Sequence, residues 1–268
     1  MIFIFQSLFF LATQFLGLAL ALKVPKVISI EQIYSPELVP WKILIAFAVL
    51  TLLMVLMLKL PRERGFIFRA IFVLTVWWGG SLALGVWMPD IFAIGVITSA
   101  LILWLWRSMV ILQNVLVMLG IAGVASVFGL RFAPESIIIL LIIFAVYDII
   151  AVYKTHHMIK LARAMLDSKA IFAIVTPRKL SRFTAKMSEV APGKGFMLLG
   201  GGDIAFPLIL ASSVSVIAFW DSLIVIGFSY LGLLLTFVLF FKLGKKPMPA
   251  FPPIAVMSIL GFITGKFL

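Results

Sequence analysis

The 268-residue sequence contains no cysteine. That excludes disulfides, a thiol nucleophile and thiolate metal sites. Histidine is scarce as well: the two present are adjacent, His156 and His157. No HExxH zinc motif exists, and a metal site on the histidine pair would lack further ligands. Charge is the third deficit. Charged residues make up 12% of the chain, against about a quarter in a soluble domain. Acidic residues number ten.

What fills the chain instead is apolar: 64% of its residues are hydrophobic. Apolar runs of spanning length fall at 1–22, 41–58, 66–88, 91–106, 108–130, 137–153, 195–216, 222–241 and 249–268. They are continuous, not alternating, so each reads as a helix, the form that satisfies its own backbone in lipid. Residues 1–22 carry no charge and lack the basic start of a cleavable signal. They read as a retained first span. The fold class is therefore an all-α membrane protein of nine transmembrane helices. A six-helix part (1–153), a basic loop (154–194) and a three-helix part (195–268) divide it.

The net charge of +12 could suggest a nucleic-acid partner, but its distribution argues otherwise. The loops after spans 2, 4, 6 and 8 hold seventeen Lys and Arg; those after spans 1, 3, 5 and 7 hold four. Basic charge sorted in this way is a topology signal and needs no nucleic acid. It places the N-terminus in the cytoplasm and the C-terminus outside. Trp41, Trp87, Trp104, Trp106 and Trp220 stand at span ends, as an aromatic belt would. Within the long loop, "AIFAIV" (170–175) reads as an amphipathic segment on the inner leaflet or as a flap over a nearby site.

Two carboxylates break the apolar pattern. Asp148 in "AVYDIIAV" and Asp203 in "LLGGGDIAFP" lie inside spans, and each costs about 2.5–3.5 kcal/mol on insertion scales. At 1.5 Å per residue they sit about 8 Å and about 12 Å from the inner boundary, on consecutive antiparallel spans. Two carboxyls in contact share one proton and titrate in two steps as a pair. One can act as base on a water while the other donates a hydrogen bond to a carbonyl, as in aspartic proteases. A plain alternative is a pair of neutral acids bonding across a helix interface. Gly200, Gly201 and Gly202 could loosen the backbone so that a substrate strand approaches Asp203, or could serve close helix packing. A cation-coupled transporter or channel would also use in-span acids and glycine-broken helices. Its paired, repeated halves are missing from a six-plus-three division. Gln113 and Asn114, in span 5, read as interhelical hydrogen bonders. "GFSYLG" (227–232) has no histidine within a span to form a Ser–His pair, so a serine mechanism is rejected.

"YD" at 147–148 and "GGGD" at 200–203, on the sixth and seventh spans around a long loop, resemble the GxGD intramembrane aspartyl proteases. These are the presenilins, signal peptide peptidases and their archaeal homologues. The resemblance implies Asp148 and Asp203 as the catalytic residues, with Tyr147 orienting the pair or the substrate. It implies no cofactor and no metal. Its third motif, Pro-Ala-Leu, corresponds to Pro249, Ala250 and Phe251, where phenylalanine stands for leucine; these would shape the site. The prolines at 249, 252 and 253 lead to an expectation of extended backbone over 247–253. By likeness the substrate is another protein's transmembrane helix within the lipid bilayer. The small size and the inferred topology are most like an archaeal homologue, which implies the cell membrane of a prokaryote.

Overall fold

A computed structural model describes residues 2–27, 41, 45, 49, 64–154, 162, 164–191, 195–244 and 248–267. The described helices are α1 (Ile2–Val27), α2 (Arg64–Gly85), α3 (Asp90–Trp106), α4 (Val110–Arg131), α5 (Pro134–Ile149), α6 (Gly201–Ser215), α7 (Phe219–Lys242) and α8 (Phe251–Gly265). Among the described residues five helical stretches are long and apolar enough to cross a membrane: Ile2–Val24, Gly65–Gly85, Val110–Arg131, Pro134–Lys154 and Phe219–Lys242. α3, α6 and α8 are shorter apolar helices. The expected second span, 41–58, lies outside the described residues apart from Trp41, Ile45 and Val49, which are helical.

The apolar residues are distributed as a bilayer requires. Leu8, Trp78, Ile102, Leu235 and Val256 are large, apolar and exposed on the outer faces of their helices. In water such surface would be a liability; in lipid it faces matching hydrocarbon. Inside, α4 packs on α1, α2 and α6, and α7 packs along α8. Small residues let the helices approach, which is how association proceeds where burial from lipid gains little. A Cβ on Gly79 of α2 would lie 2.5 Å from the carbonyl oxygen of Gly120 in α4.

Two stretches depart from the all-helical expectation. Residues Phe196–Gly200 form a β-strand, β2, not the first turns of a span, and α6 begins only at Gly201. Its partner is β1, Ala173–Pro177, inside the long loop. The strands run antiparallel, with Val175 opposite Leu198, and Gly201 N–H to Phe172 C=O (2.8 Å) extends the ladder. β1 is buried throughout. "AIFAIV" is therefore not an interfacial amphipathic segment. A strand buried on both faces has a continuous apolar sequence, which periodicity cannot tell from a helix.

Candidate active site

Asp203 occupies the first turn of α6. Its Oδ2 accepts the N–H of Gly200, the N-cap residue, at 3.1 Å. A carboxylate there meets the unpaired donors and the positive end of the helix dipole. Pro207, inside α6, has no N–H to give the Asp203 carbonyl four residues earlier, so backbone pairing is weakened just beyond the acid.

The three glycines have different surroundings. A Cβ on Gly200 would come 3.0 Å from Oδ2 of Asp203. One on Gly201 would come 3.0 Å from the Phe172 carbonyl oxygen, across the β-ladder. Gly202 is exposed, and a Cβ there would meet only the Phe206 ring, at 3.8 Å. The first two glycines thus leave room for structures already present, whereas the third leaves open space next to Asp203.

Asp148 lies in the last turn of α5, half-buried beside half-buried Tyr147. The helix then widens into a π-turn, Ile150–Lys154. Such turns recur at functional sites, and nothing in the sequence signals this one. Oδ2 of Asp148 accepts the N–H of Phe251 at 3.4 Å, a long bond.

The expected extended backbone over 247–253 is not found at 250–253, where Ala250 is already in the right-handed helical region and the helix follows; residue 247 lies outside the described residues. Residues 248 and 249 are irregular, 250 is a bend, and α8 starts at Phe251 with Pro252 and Pro253 in its first turn. Proline is at home there, because the first N–H groups of a helix have no partner within it. Two prolines delete two of those donors and leave the N–H of Phe251, which points to Asp148. Pro249 is buried and Ala250 half-buried. Phe251, 4% exposed, meets Phe206 of α6 edge to face at 5.4 Å, and Phe206 meets Phe144 of α5 at 4.6 Å. α5, α6 and α8 therefore converge around the two acids, and Tyr147, Gly200–Gly202 and Pro249–Phe251 all belong to that region.

Several positioning groups emerge only from the fold. Asn114 of α4 is buried and clasps Val175 of β1 twice: its Nδ2 donates to the carbonyl, and its Oδ1 accepts the N–H, both at 2.8 Å. Gln113 donates to the Ile171 carbonyl at 2.7 Å. Asn114 bonds to a strand and Gln113 to a residue just before it, neither to another helix; their polarity within an apolar span is the one available signal. Gln14 of α1 donates to the Ile204 carbonyl at 2.8 Å, and the one hydroxyl hydrogen of Thr236 in α7 is shared between the carbonyls of Gly232 (2.9 Å) and Ala250 (3.2 Å). Each group tethers a segment adjoining one of the acids.

The architecture has close counterparts. One solved structure, of a presenilin family intramembrane aspartate protease in space group C222, shares 24% identity with a TM-score of 0.64, covering 100% of this chain and 99% of that one. A second, of a presenilin family intramembrane aspartate protease in space group P2, shares 25% identity with a TM-score of 0.63, covering 97% and 96%. No curated protein matches the chain. The family described as signal-peptide peptidase, presenilin aspartyl protease matches residues 7–268. With all but its first six residues inside that match, the chain belongs to the signal-peptide peptidase and presenilin family and is an intramembrane aspartic endopeptidase.

Proposed function

We propose that Asp148 and Asp203 are the catalytic pair. The observation that carries this is their convergence. Asp148 near the end of α5 and Asp203 near the start of α6 sit on helices whose Phe144 and Phe206 rings meet, and each acid accepts a main-chain N–H at or beside a helix start. One carboxylate, ionised, takes a proton from a water whose oxygen attacks the scissile carbonyl carbon. The other, protonated, hydrogen-bonds the carbonyl oxygen as it becomes tetrahedral. Proton transfer to the amide nitrogen then lets the C–N bond break, giving a carboxylic acid and an amine. The pair returns to its singly protonated state.

The substrate is a transmembrane helix that unwinds locally to expose its peptide bond. One edge of β2 is taken by β1, and among the described residues no strand pairs the other. An extended substrate segment adds there, its backbone bonded to β2 and its path leading past Gly202 to Asp203. Tyr147, Pro249, Ala250 and Phe251 wall the same space. The nine-span topology has its N-terminus in the cytoplasm and its C-terminus outside, in a prokaryotic cell membrane. Incubating purified protein with a model transmembrane peptide in detergent, and mapping products by mass spectrometry, tests the activity and the cleaved bond together. Fragments of complementary mass are expected; an intact peptide with folded enzyme contradicts the proposal.

A further inference from the structure

A second concave site lies away from the acid pair, at the end of the bundle where α3 meets the 164–190 segment. It is a cleft of about 530 Å³ lined by Arg69 of α2, Arg107 at the end of α3, and Lys169 and Lys186 from the long loop, with Trp104 and Trp106. Among the described residues no acidic side chain lines it. Among the described residues none of the four cations forms an ion pair; the single pair, Lys266 with Glu135, lies elsewhere. The nearby Glu189 spends an oxygen on the main-chain N–H of Lys186, and Asp167 is exposed outside the lining.

Three further features mark it as a built site. Trp104 is 1% exposed and held against Phe72 at 4.7 Å, yet among the described residues its indole N–H has no hydrogen-bond partner. A buried donor without a partner costs roughly 1–3 kcal/mol, and Trp104 is part of the cleft wall. Lys169 sits at φ 60° as the left-handed cap of the helical turn before it, with Ala170 N–H bonded to Met165 C=O and its own N–H to Leu166 C=O, and this cap sets its place on the cleft wall. Arg69 is braced by Nε donating to the Ser168 carbonyl at 2.8 Å, which leaves its terminal nitrogens available.

The surroundings decide the kind of anion. Trp106 is 81% exposed and Leu105 56% exposed, so the rim beside Arg107 is apolar and faces outward. Cations and a buried donor fit a phosphate; an exposed tryptophan and leucine fit the interface and acyl region of a bilayer. A free anion would need only the first set. We propose that this cleft holds the phosphate headgroup of an anionic phospholipid. The main-chain bonds Val110 N–H to Ala185 C=O and Met187 N–H to Ser108 C=O close its floor. A bound headgroup therefore joins α2, α3 and the chain on both sides of β1. This site stands independently of the catalytic assignment.

The test is lipid retention. Wild-type protein is reconstituted in mixed phosphatidylcholine and phosphatidylglycerol nanodiscs, released into mild detergent, and weighed by native mass spectrometry. It is expected to retain phosphatidylglycerol over phosphatidylcholine. The pair Arg107→Gln with Lys186→Gln removes two charge-assisted contacts and is expected to lower retention about tenfold or more. Arg107→Lys with Lys186→Arg should keep it, as should Lys242→Gln, a cation outside the cleft. Trp104→Phe keeps the ring, removes the donor and should weaken retention; it decides the matter if the double variant does not fold. Equal loss in Lys242→Gln, or unchanged retention in both Arg107→Gln/Lys186→Gln and Trp104→Phe, overturns the proposal. So does displacement of the lipid by millimolar inorganic phosphate, which would make the site one for the free anion.

Discussion

The main-chain N–H of Phe251 reaches Oδ2 of Asp148 across 3.4 Å, joining residues 103 positions apart. This contact ties the start of α8 to the end of α5. It also explains why a proline-rich segment borders the acids. With Pro252 and Pro253 unable to donate, the first turn of α8 offers the N–H of Phe251 to the carboxylate. The side chain of the same residue packs on Phe206, in the helix that carries Asp203.

Phe251→Leu keeps the main-chain donor and gives up the edge-to-face contact, worth about 0.5–1.5 kcal/mol. Cleavage is expected to persist with an altered preference among substrate bonds, alongside a small fall in melting temperature. Deleting Pro249 to Phe251 should abolish cleavage while the protein still folds. Normal cleavage by the deletion, or inactivity of Phe251→Leu, would show that this segment does not wall the site.

Asn114→Leu removes both hydrogen bonds to Val175 and leaves that strand residue's polar groups without the clasp. The expected cost is about 2–4 kcal/mol over two buried bonds. Cleavage should fall along with thermal stability, because β1 holds the strand that leads into Asp203. Gln113→Leu loses one bond and should do less. Unchanged activity and melting temperature in Asn114→Leu would sever β1 from the site.

The glycines separate by position. Gly200→Ala places a methyl group 3.0 Å from Oδ2 of Asp203, and Gly201→Ala places one equally close to the Phe172 carbonyl oxygen. Gly200→Ala is expected to lower cleavage with little loss of stability, whereas Gly201→Ala should strain the ladder and lower both. Gly202→Ala, in open space, should leave the fold intact and slow cleavage only through substrate approach. Melting curves beside kinetic assays sort the three. Equal effects in all would contradict the distinction.

The rate should follow a bell in pH. When both carboxyls are protonated there is no base for the water; when both are ionised there is no acid for the carbonyl. Activity therefore falls on both sides of a maximum, with apparent constants that belong to the pair. Single-turnover cleavage across the acid to neutral range checks this, and a flat profile would contradict it.

Much of the site was legible because lipid makes polar residues conspicuous. Asp148 and Asp203 stood out as the acids inside apolar runs, and Gln113 with Asn114 stood out in the same way. The described helices of the first part are legible as unbroken apolar stretches. The β-strands were not, because Phe196–Gly200 and Ala173–Pro177 are apolar on both faces and mimic span sequence. The onset of α8 is hidden for another reason: Pro252 and Pro253 disfavour helix in general, yet suit its first turn. Neither the π-turn after Asp148 nor the bond from Thr236 to Ala250 leaves a mark in the sequence. With family membership established, the transporter alternative has no feature left to support it.

The most direct measurement replaces each acid in turn. Asp148→Asn and Asp203→Asn keep size and remove one half of a pair that must share a proton. Each purified variant is incubated with the transmembrane peptide that the wild type cuts, and products are counted by mass spectrometry beside a melting curve. Both variants are expected to fold like the wild type and to yield no product. Near-normal turnover by either folded variant would contradict the two-aspartate mechanism.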